Sequence, residues 1–261
     1  SEMCIRDSAT AGGEGRIQAW LLEGEGRRQE AAVVLDDITF GDSSVDGGAS
    51  AVIGVQPGDG ADGVSWACLG SLSDETTAWF GLQGGRPASS SRYTSSLEAQ
   101  WSGTTVSGYA GRSLAVGDVN GDGLSDVLVG QQDEAAAWLL YGADGLGGAE
   151  LETADISLSW TDSGDPVFAA SLLVEDYDGD GLDELIIGAT GDDVGAGNAG
   201  GVYIIGGGSG LSSSIEAPDD LDLRIAGPSS VGDARTGTAM AAGDVDGDGY
   251  TCLLYTSDAA D

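Results

Sequence analysis

An acidic, glycine-rich loop that runs directly into an apolar segment recurs along this chain. The three copies read DVNGDGLSDVLVG from residue 118, DYDGDGLDELIIGA from residue 176 and DVDGDGY from residue 244, so they begin 58 and 68 residues apart. Recurrence at a nearly fixed distance is the mark of a repeat architecture, in which each repeat is one small unit that packs against its neighbours. The chain is therefore predicted to be an array of similar units of about sixty residues.

Two further markers recur in the same register as the acidic loops. The first is an aromatic residue followed by apolar residues and glycine, and the second is an aromatic or apolar residue that precedes a Gly/Ser turn. The first marker falls at Trp20, Trp79, Trp138 and Tyr203, and the second at Phe40, Trp101, Trp160 and Ile225. Spacings of 59, 59 and 65 residues for the first marker and 61, 59 and 65 for the second agree with the loops, which makes coincidence a poor explanation.

Each unit is predicted to hold about four short strands separated by turns. The 46 glycines are too frequent for amphipathic helices, and an apolar content of 41% indicates a globular chain. Repeats of four strands predict an all-β fold, a partial β-propeller of about three whole blades plus parts of two others. The predicted blades are 26–85, which is degenerate, 86–145, 146–210 and 211–251, which is truncated. The first retains Asp59 and Asp62 but lacks the regular acidic pattern, so no competent metal loop is expected there.

Both ends of the sequence differ from the repeats. SEMCIRDS at 1–8 and CLLYTSDAAD at 252–261 resemble translated sequencing-adapter sequence. They are expected to be non-native tails, which leaves 9–251 as the propeller fragment. At the ninth position of the third loop stands Cys252, where the two earlier loops carry an acid.

The charge of the chain limits its partners. There are 44 acidic residues against nine basic ones, all arginine, and no histidine, which gives a net charge of −35. Nucleic acid and anionic membrane surfaces need a basic footprint, so neither is an expected partner. No apolar run approaches the 18 residues of a membrane span, so no membrane insertion is expected. Cations are the natural partners of such a chain.

The spacing within the loop suits calcium. Acids or amides fall at positions 1, 3, 5 and 9, and glycines at positions 4 and 6 allow the backbone to bend around one point. Converging carboxylates repel one another unless a cation lies between them, and Ca²⁺ takes six to eight oxygen ligands. Without histidine or paired cysteines, zinc and copper are disfavoured. An EF-hand is excluded because Val129 and Ile187 occupy position 12, where it requires a glutamate. The plain alternative is a solvated acidic turn that holds no ion.

The loops, the period and the strands after them resemble FG-GAP repeats, the blades of the integrin α-subunit propeller and of many bacterial surface proteins. Tyr109–Gly111 and Phe168–Ala170 are similar to the FG part, and Gly130 and Gly188–Ala189 to the GAP part, without its proline. The resemblance implies Ca²⁺ ligands at positions 1, 3, 5 and 9 and at the carbonyl of position 7. These are Asp118, Asn120, Asp122, Leu124 and Asp126; Asp176, Asp178, Asp180, Leu182 and Glu184; and Asp244, Asp246, Asp248 and Tyr250. Asp183 is a further candidate, because Glu184 departs from the usual aspartate.

The family implies an extracellular or cell-surface binding or adhesion scaffold with structural Ca²⁺, a protein or glycan partner and no catalysis. One alternative is an accessory propeller of a secreted enzyme whose catalytic domain lies outside this sequence. Another is a GDSL-type esterase, because FGDSSVDGG at 40–48 places Ser43 as its nucleophile. That chemistry needs a histidine base, which is lacking here, and Phe40 is in register with the repeat. The tryptophans are expected to pack between blades rather than to stack on sugars.

Overall fold

The computed structural model of the chain describes residues 110–142, 151–161, 167–193, 196–230 and 232–257, together with the backbone of eight strands between residues 2 and 102. Within these residues the regular structure is almost entirely strand, as the repeat pattern predicted. Two short 3-10 turns, Gln132–Glu134 and Leu151–Thr153, are the exceptions. No helix of the described part is long and apolar enough to cross a membrane.

The strands are numbered in chain order. Those before residue 103 are β1 (Glu2–Ala9), β2 (Gly15–Leu22), β3 (Val33–Phe40), β4 (Ala49–Val55), β5 (Ser65–Ser71), β6 (Thr76–Leu82), β7 (Ser91–Arg92) and β8 (Ala99–Ser102). Those after it are β9 (Ala110–Gly117), β10 (Asp126–Gln131), β11 (Ala136–Leu140), β12 (Ile156–Trp160), β13 (Ser171–Glu175), β14 (Glu184–Ala189), β15 (Gly201–Ile205), β16 (Ser214–Ala217), β17 (Leu223–Ala226), β18 (Met240–Gly243) and β19 (Cys252–Tyr255).

In the sheets that these strands form, neighbouring strands are antiparallel except in the parallel pairs β3–β7 and β12–β16. The described residues hold four sheets of four or five strands and one sheet of two, where the sequence predicted three whole blades and parts of two others. The strand orders are β1-β2-β3-β7, β4-β5-β6-β8, β16-β12-β11-β10-β9, β13-β14-β15-β17 and β18-β19. We call the third, fourth and fifth of these sheets blades A, B and C.

The strand at the second sequence marker closes the sheet before it. Trp160 ends β12, which pairs with β11 of blade A, and Ile225 lies in β17, which pairs with β15 of blade B. The sheets are therefore offset from the predicted units 86–145 and 146–210. In addition, β16 leaves blade B and pairs in parallel with β12, which covers the outer edge of blade A.

The strand that follows each acidic loop is buried on both faces. In β10, Leu128 belongs to the apolar cluster between blades A and B, whereas Val127 and Val129 lie in the cluster on the other face of blade A. In β14, Leu185 faces the first of these clusters and Ile186 packs toward blade C. Burial of each such side chain contributes about 1.5–3 kcal/mol, which holds the sheets face to face and fixes the loops at their ends.

Aromatic and hydroxyl side chains also join the blades. Trp160 of blade A lies 5.7 Å from the ring centroid of Phe168 and 5.4 Å from that of Tyr203, both fully buried. This contact agrees with the predicted packing role of Trp160. The hydroxyl of Ser113 donates to the carbonyl oxygen of Ala169 at 2.6 Å, and that of Ser171 donates likewise to Gly237. The same bond thus joins A to B and B to C.

Candidate metal centres

Each acidic loop connects the first two strands of its blade and contains two glycines in the left-handed region. In the first loop the φ angles of Gly121 and Gly123 are 75° and 83°, and in the second those of Gly179 and Gly181 are 81° and 93°. The third loop repeats these values at its positions 4 and 6. Residues with a side chain rarely adopt such angles, so the glycines allow the chain to curl around its position 1 carboxylate, as predicted.

The carboxylate at position 1 lies at the centre of each curl. Asp118 accepts the amides of Asp122 and Gly123 at 3.0 and 2.9 Å, one on each oxygen. Asp176 accepts from positions 4 and 6 of its own loop at 2.8 and 3.1 Å. Asp244 accepts from positions 4, 5 and 6 at 2.7, 3.1 and 2.9 Å. The loop amides therefore hold this side chain pointing inward before any other partner is considered.

Positions 3 and 5 repeat a second pattern. The oxygen at position 3 accepts the amide of position 5, at 2.8 Å for Asn120 and 3.0 Å for Asp178. The carboxylate at position 5 accepts the amide of position 7 at 2.7 Å in the first loop, 2.8 Å in the second and 3.0 Å in the third. Leu124, Leu182 and Tyr250 thus enter the network through their amides, and the proposed role of their carbonyl oxygens stays a prediction.

The acid at position 9 is buried at the start of the apolar strand. Asp126 has no exposed surface and Glu184 only 3%. Asp126 accepts the amide of Val119 at 2.8 Å with one oxygen and that of Gly142 at 2.8 Å with the other. Glu184 repeats both bonds, with the amides of Tyr177 and Gly207 at 2.7 and 3.3 Å. The longer glutamate therefore takes the same place as the aspartate.

Burial opposes ionisation of these two acids. It raises the pKa of Asp126 from 3.8 to about 6, although the amides that it accepts act in the opposite direction. Burial likewise raises the pKa of Glu184 above its usual value of 4.5. By contrast, the amide of Gly249 and its neighbours lower the pKa of Asp244, which is fully exposed. A cation beside Asp126 or Glu184 would remove the cost of keeping these acids charged.

Two of the loops bring three carboxylates together. Oxygens of Asp176, Asp178 and Glu184 lie within 4.8 Å of one another, and so do those of Asp244, Asp246 and Asp248. Asp180 lies outside the first group. In the first loop, the equivalent of the first group is Asp118, Asn120 and Asp126, with an amide oxygen at position 3. The third loop has no acid at position 9, where Cys252 stands at the start of strand β19.

Sequence reasoning missed one participant and did not foresee the main contact of another. The glycine four residues after the aromatic marker, Gly142 in blade A and Gly207 in blade B, donates its amide to the buried acid of position 9. Its constant offset from Trp138 and Tyr203 was visible in the sequence. The other is Asp183, whose side chain accepts the amide of Asp118 in the neighbouring blade at 2.7 Å rather than joining its own loop's carboxylate group.

Several predicted features lie outside the described residues. These are Ser43 of the esterase alternative, Asp59 and Asp62 of the degenerate loop, and Tyr109 of the FG element, together with the side chains of Trp66, Trp79 and Trp101. The esterase alternative and the absence of a metal loop in 26–85 therefore stay predictions.

The donor set of the described loops fits a hard cation. Every side-chain donor at positions 1, 3, 5 and 9 of the first two loops is a carboxylate or amide oxygen, the ligand class of Ca²⁺ rather than of zinc or copper. Arg224, whose ion pair the structure describes, binds Asp192 at the far end of blade B and not a loop acid. The loops thus concentrate negative charge around a preformed curl.

Comparison with known proteins identifies the repeats. The model of the FG-GAP repeat matches residues 110–147 and 168–205, which begin at or just before the first strands of blades A and B and include their acidic loops. No curated protein matches the chain. The chain therefore carries two FG-GAP repeats, and the predicted all-β, propeller-type architecture is confirmed.

Proposed function

We propose that this chain, which carries two FG-GAP repeats, is part of a calcium-binding β-propeller that serves as an extracellular binding or adhesion scaffold. The observation that carries the proposal is the group formed by Asp176, Asp178 and Glu184. Their oxygens lie within 4.8 Å of one another, where the acidic loop meets the buried strand β14. Three carboxylates so close repel one another, and a divalent cation among them turns that repulsion into attraction.

Ca²⁺ suits this geometry better than Mg²⁺. The loop offers carboxylates at positions 1, 3, 5 and 9, more than the one or two that Mg²⁺ usually takes beside its waters. When bound, the ion would supply only charge and coordination. Asp176 and Asp178 would hold it from the curl, and Glu184 from the strand. The loop would then be fixed to the strand that follows it, so the role of the ion is structural.

The proposed location follows from the same chemistry. Extracellular modules bind Ca²⁺ with modest affinity, which suffices at the millimolar concentrations outside cells. The proposed role is binding rather than catalysis, because the dense acids of the described blades are used in the loops. The protein or glycan partner is not specified by the fold, since propellers host many functions.

Thermal unfolding of the whole chain with excess Ca²⁺ and with chelator tests the proposal. Calcium should raise the midpoint, because an ion that binds only the folded state stabilises it by about 2.7 kcal/mol at a hundredfold excess over Kd. In Asp122→Ala/Asp180→Ala the rise should be much smaller. Both substitutions remove exposed position 5 acids and leave the strands intact.

Asp219→Ala is the matched control, because it removes an exposed acid from a turn outside the loops. Its calcium response should equal that of the parent. A cooperative transition in the parent that is indifferent to Ca²⁺ would contradict the proposal and leave the loops as solvated acidic turns. An equal loss of response in the control and in the double variant would show that only total charge matters.

A further inference from the structure

We infer that the calcium loops of blades A and B act as one coupled unit, and that Asp183 is the positioning residue that joins them. The inference rests on the proposed function and adds to it. It assigns to Asp183 no place among the ligands of its own loop. Instead, its side chain reaches across the blade interface to the first residue of the neighbouring loop.

Three hydrogen bonds tie the start of the first loop to blade B. The amide of Asp118 donates to Oδ2 of Asp183 at 2.7 Å, and the amide of Asp183 donates back to the carbonyl oxygen of Asp118 at 3.2 Å. The amide of Gly208 donates to the carbonyl oxygen of Val119 at 2.7 Å. Positions 1 and 2 of the first loop are therefore held by blade B as well as by their own blade, through Asp183 at position 8 of the second loop and Gly208 after β15.

The packing at this junction leaves little room for movement. A Cβ at Gly117 would lie 2.3 Å from Oδ2 of Asp183, and a Cβ at Gly207 would lie 2.9 Å from the carbonyl oxygen of Val119. Val119 itself has no exposed surface. The two glycines thus permit a close approach of the loops, and displacement of either loop must disturb the other.

Asp183 is partly buried by the junction, and this burial raises its pKa. Hydrogen bonds offset the cost of desolvating this carboxylate: the amide of Asp118 donates to it at 2.7 Å across the junction, and the backbone of Asp176 in its own loop also bonds it. The equivalent position 8 is Ser125 in the first loop and Thr251 in the third. The acid is therefore a feature of this one junction and not of the loop pattern.

The functional consequence is coupling between two ions. An ion at the second loop fixes Glu184 and the adjoining Asp183, which in turn fixes the amide of Asp118. The first loop then loses less conformational freedom when it binds its own ion. Calcium at the second loop should therefore increase the affinity of the first loop for calcium. Coupling between sites typically changes affinity about 5-fold to 150-fold, and a value at the low end of this range is expected for a junction of three hydrogen bonds.

Hydrogen-exchange mass spectrometry of the whole chain during a Ca²⁺ titration measures each loop separately. Peptides over 118–126 and 176–184 report the midpoint of protection for each loop. In the otherwise unchanged chain, disabling the second loop with Asp178→Ala should shift the midpoint of the first loop to about fivefold higher Ca²⁺. In a chain that already carries Asp183→Ala, adding Asp178→Ala should shift the Ca²⁺ midpoint of the first loop by less than about twofold.

Asp183→Asn separates the bond from the charge. It removes the same charge as Asp183→Ala, but its amide oxygen still accepts the amide of Asp118, so it should retain most of the coupling. In chelator, Asp183→Ala should also speed exchange at the start of the first loop, whereas the surface control Asp219→Asn should not. That readout needs no ion.

The outcomes distinguish this inference from the proposed function. Absence of Ca²⁺ protection in either loop of the parent would contradict the proposed function. Protection of both loops with midpoints that do not respond to each other would overturn the coupling alone. Equal behaviour of Asp183→Asn and Asp183→Ala would overturn the role of the hydrogen bond, since only charge would then matter.

Discussion

The buried acid of the first loop makes its calcium binding sensitive to mild acid. An oxygen ligand for Ca²⁺ must be ionised, and the pKa of Asp126 is raised by burial to about 6. At a pH of about 5 only about a tenth of this carboxyl is charged, whereas at about 7.5 nearly all of it is. The affinity of the first loop for Ca²⁺ should therefore fall about tenfold between these two values.

In the metal-free protein, the raised pKa of Asp126 has the opposite effect, because mild acid favours the folded state at this residue. Because the folded-state pKa of Asp126 lies above its unfolded value of 3.8, the folded state holds the proton more tightly. The contribution of this group to stability is full below pH 3.8 and is lost as the pH rises through about 6. Acid should thus weaken calcium binding at the first loop without a loss of stability from this residue.

Isothermal titration calorimetry isolates the first loop in the variant Asp178→Ala/Asp246→Ala, which disables the other two. Titrations near pH 6 in two buffers with different ionisation enthalpies count the protons released. Because Asp126 is about half protonated there, about half a proton should leave for each ion bound. Circular dichroism at both ends of the pH range confirms that the variant stays folded.

The third loop provides the internal control. Its amides lower the pKa of Asp244, and no buried acid stands at its position 9. The variant Asp122→Ala/Asp180→Ala keeps only this loop, so its affinity should change little down to a pH of about 5. A first-loop affinity that is flat over this range in folded protein would refute the reasoning, and so would a parallel decline in both variants.

Two substitutions in blade B give further expectations. Gly188→Ala would place a Cβ 2.3 Å from the carbonyl oxygen of Gly237 and 2.6 Å from Oγ of Ser171, so chemical denaturation should show a loss of about 2 kcal/mol. Adding Ser171→Ala should not restore stability, because the backbone collision remains. Tyr203→Phe removes the hydroxyl that bonds Asp192, so the free energy of unfolding in the same assay should fall by about 1 kcal/mol. An unchanged free energy would contradict a stabilising role for this bond.

The positions that sequence spacing fixed well are those set by local chemistry. The curl around Asp118 and Asp176 follows from glycines that accept positive φ and from carboxylates that bond the nearest amides, all within nine residues. The buried strands after the loops follow from apolar runs such as Val127–Val129. These hydrogen bonds and apolar runs depend on residues that are close in sequence. Their repetition therefore predicted both the all-β class and a fold of short-stranded blades.

The features that sequence reasoning missed depend on pairing over long distances. The sequence near Trp160 does not indicate whether β12 pairs with the strand before it or with the one after it. Because β12 pairs with β11, the sheets do not coincide with the predicted units 86–145 and 146–210. Asp183 looked like a spare ligand beside Glu184, because only the packed blades reveal that its carboxylate accepts the amide of Asp118, 65 residues away.

Hydrogen bonds to loop amides define the shape of the curl, so the expected contribution of calcium is mainly electrostatic. Asp176 accepts two amides of its own loop, and Glu184 accepts the amides of Tyr177 in that loop and of Gly207 after β15 of the same blade. What the amides leave uncompensated is the mutual repulsion of three carboxylates within 4.8 Å. Calcium should therefore stabilise the fold mainly by removing this repulsion. The gain should be largest where burial raises the pKa of position 9, because there the charged form is held at the greatest cost.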